Sequence, residues 1–237
     1  MIAPTDITSL LPPPFRAIAL RETGDAFAHA CAVAAAEGAG TLVRTGRFDT
    51  IELALVLEPE EPLRLARRSF LVGMAAALAA LRLHLPPEHG LTAVWPGDIL
   101  VDGQPVGRGR LGWPDGADEG QVPDWLVFGL EINGARIEAP DGAPAAMSLE
   151  EAGFEDFDGG RFAADFCRQM LLAADRLTHD GVAAAAAPFL DLIDLGKAGS
   201  RAAIAENGDL MVAGFGAAAP ERWALAPALA AAERRHG

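Results

Sequence analysis

Apolar and polar residues alternate along this chain with two different periods. Residues 50–59 alternate strictly, with leucine or isoleucine at positions 51, 53, 55 and 57, and Glu52, Ala54 and Val56 between them. This is the period of a strand with one buried face. The sequence predicts further strands over 16–21, 41–44, 91–95 and 124–134, and a strand with a hairpin over 98–107.

Helical spacing of apolar residues predicts the remaining elements. The longest helix is expected over 60–83, where apolar side chains form one stripe. A helix over 23–38 would be capped by Thr23 or Asp25 and end at Gly38. Other helices are predicted over 160–177, 182–192 and 226–235.

Some of the predicted strands are joined by hairpins and others by helices. This order predicts an α+β fold in which helices cover one face of a mixed β-sheet. We expect a main domain over 1–194 and a small C-terminal appendage over 195–237. The Asn207-Gly208 pair in the appendage is a strong hairpin signal.

Charge and cysteine content narrow the classes of function. The formal net charge is −14, which argues against partners with a phosphate surface, such as nucleic acid or an anionic membrane. Cys31 and Cys167 are the only cysteines, too few for a disulfide framework or a metal cage, and both are interpreted as structural. The N-terminal segment lacks the pattern of a signal peptide, and a cytoplasmic location is expected.

Two segments carry the candidate chemistry: residues 93–107 read AVWPGDILVDGQPVG, and residues 126–133 read LVFGLEIN. Together they resemble the motifs K-W-P-N-D-[IL]-[LI] and G-[IL]-G-[IL]-N of the biotin/lipoate protein ligase superfamily. The segment MSLEEAG at 147–153 resembles the T-S-L segment of the same proteins. The matching residues are Trp95, Pro96, Asp98, Ile99, Leu100, Gly129 and Asn133.

The resemblance covers roughly residues 15–190 and implies the ligase-like catalytic-domain fold, which is also class II synthetase-like. Members of the superfamily activate a small carboxylic acid with ATP and transfer the acyl group to a lysine of an acceptor domain. The resemblance therefore implies biotin, lipoate or octanoate as the ligand, with ATP and Mg²⁺ needed only if activity persists. An acceptor-domain protein or a second copy of the chain would be the macromolecular partner.

The chain departs from the family pattern at the positions that carry catalysis. Val94 stands where the resemblance implies the catalytic lysine, Gly97 where it implies asparagine, and Glu131 where it implies a bare glycine. The arginine-rich loop is reduced to VRTGRFDT, in which only Thr45, Gly46 and Arg47 match.

These motifs and departures define a candidate ligand site with no assigned catalytic residue. Asp98 could face the ligand or cap the hairpin, whereas Glu131 is expected to be solvated or paired with an arginine. Arg108 and Arg110 could hold an anion or pair with nearby acids such as Asp115, Asp118 or Glu119. The predicted ligand-binding residues are Arg44, Thr45, Gly46, Arg47, Trp95, Pro96, Asp98, Gly107, Arg108, Gly129, Glu131 and Asn133.

Three functions fit this sequence. We favour a ligase-like protein with a degenerate active site that binds a small acid or nucleotide without catalysis. The first alternative is a divergent ligase or acyltransferase in which Arg47, Arg108 or Arg110 replaces the missing lysine. The second is an interaction protein whose pocket is filled by its own side chains, with Glu131 and Trp113 as the candidates to fill it.

Overall fold

The structure is a computed structural model that describes residues 7–47, 49–135, 147–154, 157–199, 201–214, 216 and 219–236. The strands within these residues are β1 (Arg16–Leu20), β2 (Thr41–Thr45), β3 (Thr50–Leu57), β4 (Leu91–Val94), β5 (Asp98–Val101), β6 (Gln104–Gly112), β7 (Leu126–Asn133), β8 (Arg201–Ile204), β9 (Leu210–Ala213) and β10 (Glu221–Trp223). The helices are α1 (Ala26–Glu37), α2 (Leu63–Ala66), α3 (Ser69–His84), α4 (Gly159–Asp180), α5 (Val182–Ala185), α6 (Ala187–Leu190) and α7 (Leu225–His236).

Within the described part of the chain, the main sheet has seven strands in the order β1-β2-β3-β7-β6-β5-β4. Among the strands that the structure describes, β1 and β2 are the one pair that runs parallel, and α1 makes the crossover between them. The neighbours from β2 to β4 pair antiparallel. The mixed sheet predicted from the sequence is therefore confirmed.

Helices lie on both faces of this sheet, so the expectation that they cover one face is wrong. On one face, Phe128 of β7 stacks on Phe166 of α4 and meets Phe70 of α3, with ring centroids 5.8 and 6.0 Å apart. On the other face, Ala54 and Val56 of β3 are buried in a separate apolar cluster under α1. Leu53 and Leu55 are buried in the core under α3 and α4, so β3 is buried on both faces and the prediction of one buried face is wrong.

The N-terminus of α1 is capped by Asp25, because the backbone N–H of Ala28 donates to its Oδ1 at 2.7 Å. The long helix predicted over 60–83 is broken into α2 and α3, and α4 with 22 residues is the longest described helix. The break falls at Arg67 and Arg68, both only 7% exposed. Their guanidinium groups turn to acids on other segments, Arg67 to Glu119 and Arg68 to Glu61 and Glu206.

The shorter helices also differ from their predicted form. The helix predicted over 182–192 is divided at Ala186 into α5 and α6. Among the described residues, no helix is long and apolar enough to cross a membrane.

The C-terminal residues form a second, three-stranded sheet in the order β10-β9-β8, followed by α7. The predicted hairpin at Asn207-Gly208 joins β8 and β9, and Gly208 takes φ 86° there. Asp209 is 4% exposed and accepts hydrogen bonds from the Leu225 N–H at 2.8 Å and from Arg222 Nε at 2.5 Å. These bonds fix the start of α7. The domain division at residue 194 stays a prediction.

Candidate functional site

The hairpin of β5 and β6 builds the centre of the site. Its turn residues Asp102 and Gly103 both have positive φ, at 50° and 77°, which is the conformation that matches the twist of two antiparallel strands. The resulting register places Asp98 opposite both Val94 and Arg108. Arg108 in turn lies opposite Glu131 on β7.

One more strand extends this alignment, because Glu131 lies opposite Glu52 on β3. Residues directly opposite each other in neighbouring strands project from the same face of the sheet. Five side chains therefore form a line that we call the cross-strand row. Its members are Val94, Asp98, Arg108, Glu131 and Glu52.

A cavity of about 440 Å³ opens on this row. This volume lies in the range of small-molecule sites. Its wall combines apolar groups with two carboxylates and two guanidinium groups. The lining residues are Val94, Asp98, Leu100, Pro105, Gly107, Arg108, Glu131, Asn133 and Arg235.

Arg108 and Glu131 neutralise each other within the cavity wall. Arg108 donates from Nε and Nη2 to Glu131 Oε2, at 3.2 and 2.9 Å. The prediction is that Glu131 is either solvated or paired with an arginine, and the pairing is what the structure shows. The guanidinium of Arg108 thus lies at the ligand site with its charge already compensated.

Asp98 lies beside this pair and lines the cavity, and its ligand-facing role stays a prediction. Burial raises the pKa of the Asp98 carboxyl, against the opposing effects of Arg235 and Arg108. Arg235 of α7 approaches it at 3.9 Å between Nη2 and Oδ2, which is longer than a hydrogen bond. The carboxylate of Asp98 is therefore less firmly paired than that of Glu131.

Arg110 lies outside the cavity and is held by two other elements. It donates from Nε and Nη2 to the carboxylate of Glu233 on α7, both at 3.2 Å, and its Cζ lies 4.2 Å from the ring centroid of Phe27. The nearby acids expected to pair with Arg108 and Arg110 are therefore not the partners. The partners instead come from a neighbouring strand and from the last helix.

Glu52 occupies the end of the row next to α1. Its Oε1 accepts the Ala26 N–H at 2.9 Å, at the first turn of the helix, where the helix dipole favours a negative charge. Burial still raises the pKa of Glu52 above its ordinary value.

Among the described residues, no group of three or more histidine, cysteine, aspartate or glutamate side chains is arranged to hold a metal ion.

The predicted loop residues Arg44, Thr45, Gly46 and Arg47 do not appear in the described lining of the cavity. Thr45 is buried at the end of β2, and the Gly46 N–H donates to the Leu20 carbonyl at 3.1 Å. The guanidinium of Arg47 donates twice to Asp49, at 2.9 and 2.8 Å. This hydrogen bonding lowers the pKa of Asp49, which partners Arg47 as a carboxylate.

Three more predicted residues have packing contacts outside the main cavity. The Trp95 ring packs against the ring of Phe189, with the ring centroids 6.3 Å apart. Pro96 lines a narrow hollow of about 20 Å³ against α7. Gly129 lies under Phe27, where an added Cβ would come within 2.4 Å of the ring. The structure therefore brings together Asp98, Gly107, Arg108, Glu131 and Asn133 of the predicted set.

The predicted ligand-binding set lacks four lining residues: Val94, Leu100, Pro105 and Arg235. Alternation along the hairpin could have identified Leu100 as a neighbour of Asp98 on the same face. Arg235 gave no such signal, because a helical pattern does not reveal which surface the helix meets.

The fold is that of an α+β domain with a mixed sheet and a ligand-sized cavity on the hairpin of β5 and β6. Within that class, the sequence model of the biotin/lipoate A/B protein ligase family matches residues 11–191. The chain belongs to this family. No curated protein matches the sequence significantly.

Solved structures show the same fold. A biotin protein ligase-like protein of unknown function from Silicibacter sp. TM1040 is 23% identical, with a TM-score of 0.77 over 92% of this chain and 98% of that one. Biotin protein ligase from Aquifex aeolicus is 14% identical, with a TM-score of 0.66 over 88% of this chain and 95% of its own. The Leishmania major enzyme, solved with biotin, is 17% identical, with a TM-score of 0.58 over 90% of this chain and 99% of its own.

Proposed function

We propose that this chain binds a small carboxylic acid with an apolar tail and does not ligate it. The observation that carries the proposal is the open cavity on the cross-strand row, in which Val94 stands at the position of the family's lysine. Val94, Leu100 and Pro105 offer an apolar wall for the tail. Arg108 and Arg235, which also line the cavity, offer donors for the carboxylate.

The charges around the cavity argue against acyl-adenylate chemistry. Adenylation requires a cation at the reacting carboxylate, and losing one such contact costs about 3 kcal/mol, or about 10²-fold in rate. Val94 supplies no cation, and the charge of Arg108 is compensated by Glu131. The divergent-ligase alternative needs Arg47, Arg108 or Arg110 to replace the lysine, and all three are paired with carboxylates.

The surroundings also suit a triphosphate poorly. Arg47 is the one arginine of this sequence that matches the family's phosphate-binding loop. Its guanidinium donates two hydrogen bonds to Asp49. Glu52 and Glu131 add carboxylates nearby. We therefore expect this chain to bind the acid without ATP or Mg²⁺.

The filled-pocket alternative receives less support than the binding function. Glu131 is drawn to Arg108 along the wall, and Trp113 lies against Arg67, with Cζ 4.8 Å from the ring centroid. Trp113 is not part of the described cavity lining. The space that these side chains would have to fill therefore remains available to a ligand.

Isothermal titration with biotin, lipoate and octanoate, each with and without MgATP, tests the proposal. We expect at least one acid to bind, with an affinity that MgATP leaves unchanged, and no pyrophosphate to be released. Acid-dependent pyrophosphate release would contradict the proposal in favour of a divergent ligase. Absence of binding by all three acids would contradict it in favour of an interaction protein.

A matched pair of variants locates the binding. Leu100→Asn removes part of the apolar wall, and we expect it to weaken binding of the acid about tenfold, since burying a leucine-sized group is worth roughly 1.5–3 kcal/mol. Leu83→Asn changes a leucine that is 62% exposed elsewhere on the surface and should leave binding unchanged. Equal affinity of both variants would place the acid outside this cavity.

A further inference from the structure

Helix α7 extends to the candidate site, and its N-terminal end is anchored in the fold. Leu225 and Leu229 of α7 are buried, at 1% and 4% exposure. The N–H of Leu225 also donates to Asp209 at 2.8 Å. The first two turns of α7 are therefore held in place, and the direction in which its last turn points is set by the fold.

That last turn lies against the hairpin of β5 and β6. Ala232 and Glu233 line the narrow hollow beside Pro96, and Glu233 holds Arg110 through two hydrogen bonds. Arg235 follows Ala232 by three positions, so it projects from the same side of the helix. Arg235 is one of the residues that line the cavity.

Of the two arginines in the described lining of the cavity, Arg235 is the less firmly paired with a carboxylate. Arg108 makes two hydrogen bonds to Glu131, whereas Arg235 approaches Asp98 only to 3.9 Å, and 52% of its side chain is exposed. A ligand carboxylate that bound Arg108 would have to displace Glu131 from its two hydrogen bonds. A ligand carboxylate that bound Arg235 would not have to break a hydrogen bond between Arg235 and Asp98.

We infer that Arg235 supplies the cation that binds the ligand's carboxylate, so that α7 completes the site. The inference rests on the proposed function, because it assigns the polar contact of the same acid. The tail would lie along Val94, Leu100 and Pro105, and the carboxylate would point towards the last turn of α7. Arg235 is a specificity residue in this assignment and takes no part in a reaction.

Titration of matched acids and amides tests this assignment. The probes are biotin, lipoate and octanoate. Each acid is compared with its own amide (biotinamide, lipoamide and octanamide respectively), which keeps the tail and lacks the negative charge. Arg235→Gln should weaken binding of the acid about tenfold, because a hydrogen bond to a charged group is typically worth about that factor or more. The same variant should leave binding of the amide unchanged.

Arg234→Gln is the matched control. Arg234 is also exposed, and it lies about 100° away around the helix. It should bind acid and amide as the unsubstituted chain does. A melting temperature equal to that of the unsubstituted chain would show that Arg235→Gln remains folded.

The outcomes separate this inference from the proposed function. If the unsubstituted chain binds an acid and Arg235→Gln binds it equally well, the inference is wrong and the proposed function stands. Equal weakening of acid and amide would also overturn the inference, since the loss would not concern the charge. If the unsubstituted chain binds none of the acids, both proposals are overturned.

Discussion

Gly97 occupies a position where the biotin/lipoate family pattern has asparagine, and the structure gives a packing reason for the glycine. A Cβ added at Gly97 would lie 2.4 Å from Phe70 Cζ, 3.1 Å from Phe70 Cε1 and 3.3 Å from Met74 Sδ. Carbon atoms in contact normally lie about 3.5–4.0 Å apart. The Phe70 ring is fully buried and packs against Phe128, so it has little room to retreat.

We predict that Gly97→Ala destabilises the chain by about 1–3 kcal/mol, the usual cost of overpacking a core. For a chain of this length, such a loss lowers Tm by roughly 5 °C. Thermal unfolding followed by circular dichroism measures the change. Gly97→Asn should cost at least as much, so the family's asparagine cannot be restored here without a change in the core.

Gly159→Ala provides the control, because the nearest atom to its added Cβ is Ile51 Cγ1 at 3.8 Å, an ordinary contact. This variant should melt at or slightly above the temperature of the unsubstituted chain. Combining Gly97→Ala with Phe70→Leu should cost less than the sum of the two single changes, because the clash is relieved. A Gly97→Ala protein as stable as the unsubstituted chain would refute the steric argument.

Three further predictions concern the thiols and the C-terminal sheet. Burial raises the pKa of Cys31 to about 11 and that of Cys167 to about 12, so Ellman's reagent at neutral pH should label neither thiol until the chain is denatured. Asp209→Asn should lower stability by about 1–3 kcal/mol at neutral pH. Burial acts to raise the pKa of Asp209, but hydrogen bonds from Leu225, Asn207 and Arg222 lower it overall. Its carboxylate therefore stabilises the fold above the unfolded pKa of about 4 and loses this effect as the pH falls through the lower folded value, so melts of the two proteins should converge in acid. Arg68→Met should remove the link to Glu206 and speed limited proteolysis within 201–223; an unchanged cleavage rate would show that Arg68 does not secure this sheet.

Local sequence signals predicted the elements that local chemistry determines. The cap at Asp25, the hairpin at Asn207-Gly208 and the strand over 50–59 each depend on residues close together in the chain. The order of hairpins and helices was enough to predict the mixed sheet. The family motif then indicated that the hairpin beginning at Asp98 carries the site.

Contacts between distant segments could not be predicted in this way. Arg110 and Glu233 are 123 positions apart, and no periodicity in the chain relates them. The alanines of α1 show that it packs closely, without showing against which face of the sheet. The break in the helix predicted over 60–83 could not be predicted for the same reason, because Glu119 and Glu206, which pair with Arg67 and Arg68 there, lie 52 and 138 positions away in sequence.

The pairing of Arg108 with Glu131 has a consequence for how this protein can evolve. Codons for glutamate and glycine differ by a single base, so one mutation at Glu131 would restore the family's glycine. The same mutation would leave Arg108 without the partner it now holds at 2.9 Å and would expose its positive charge to the cavity. Codons for valine and lysine differ by two bases, so an arginine-based site is more accessible by mutation than the return of a lysine at Val94.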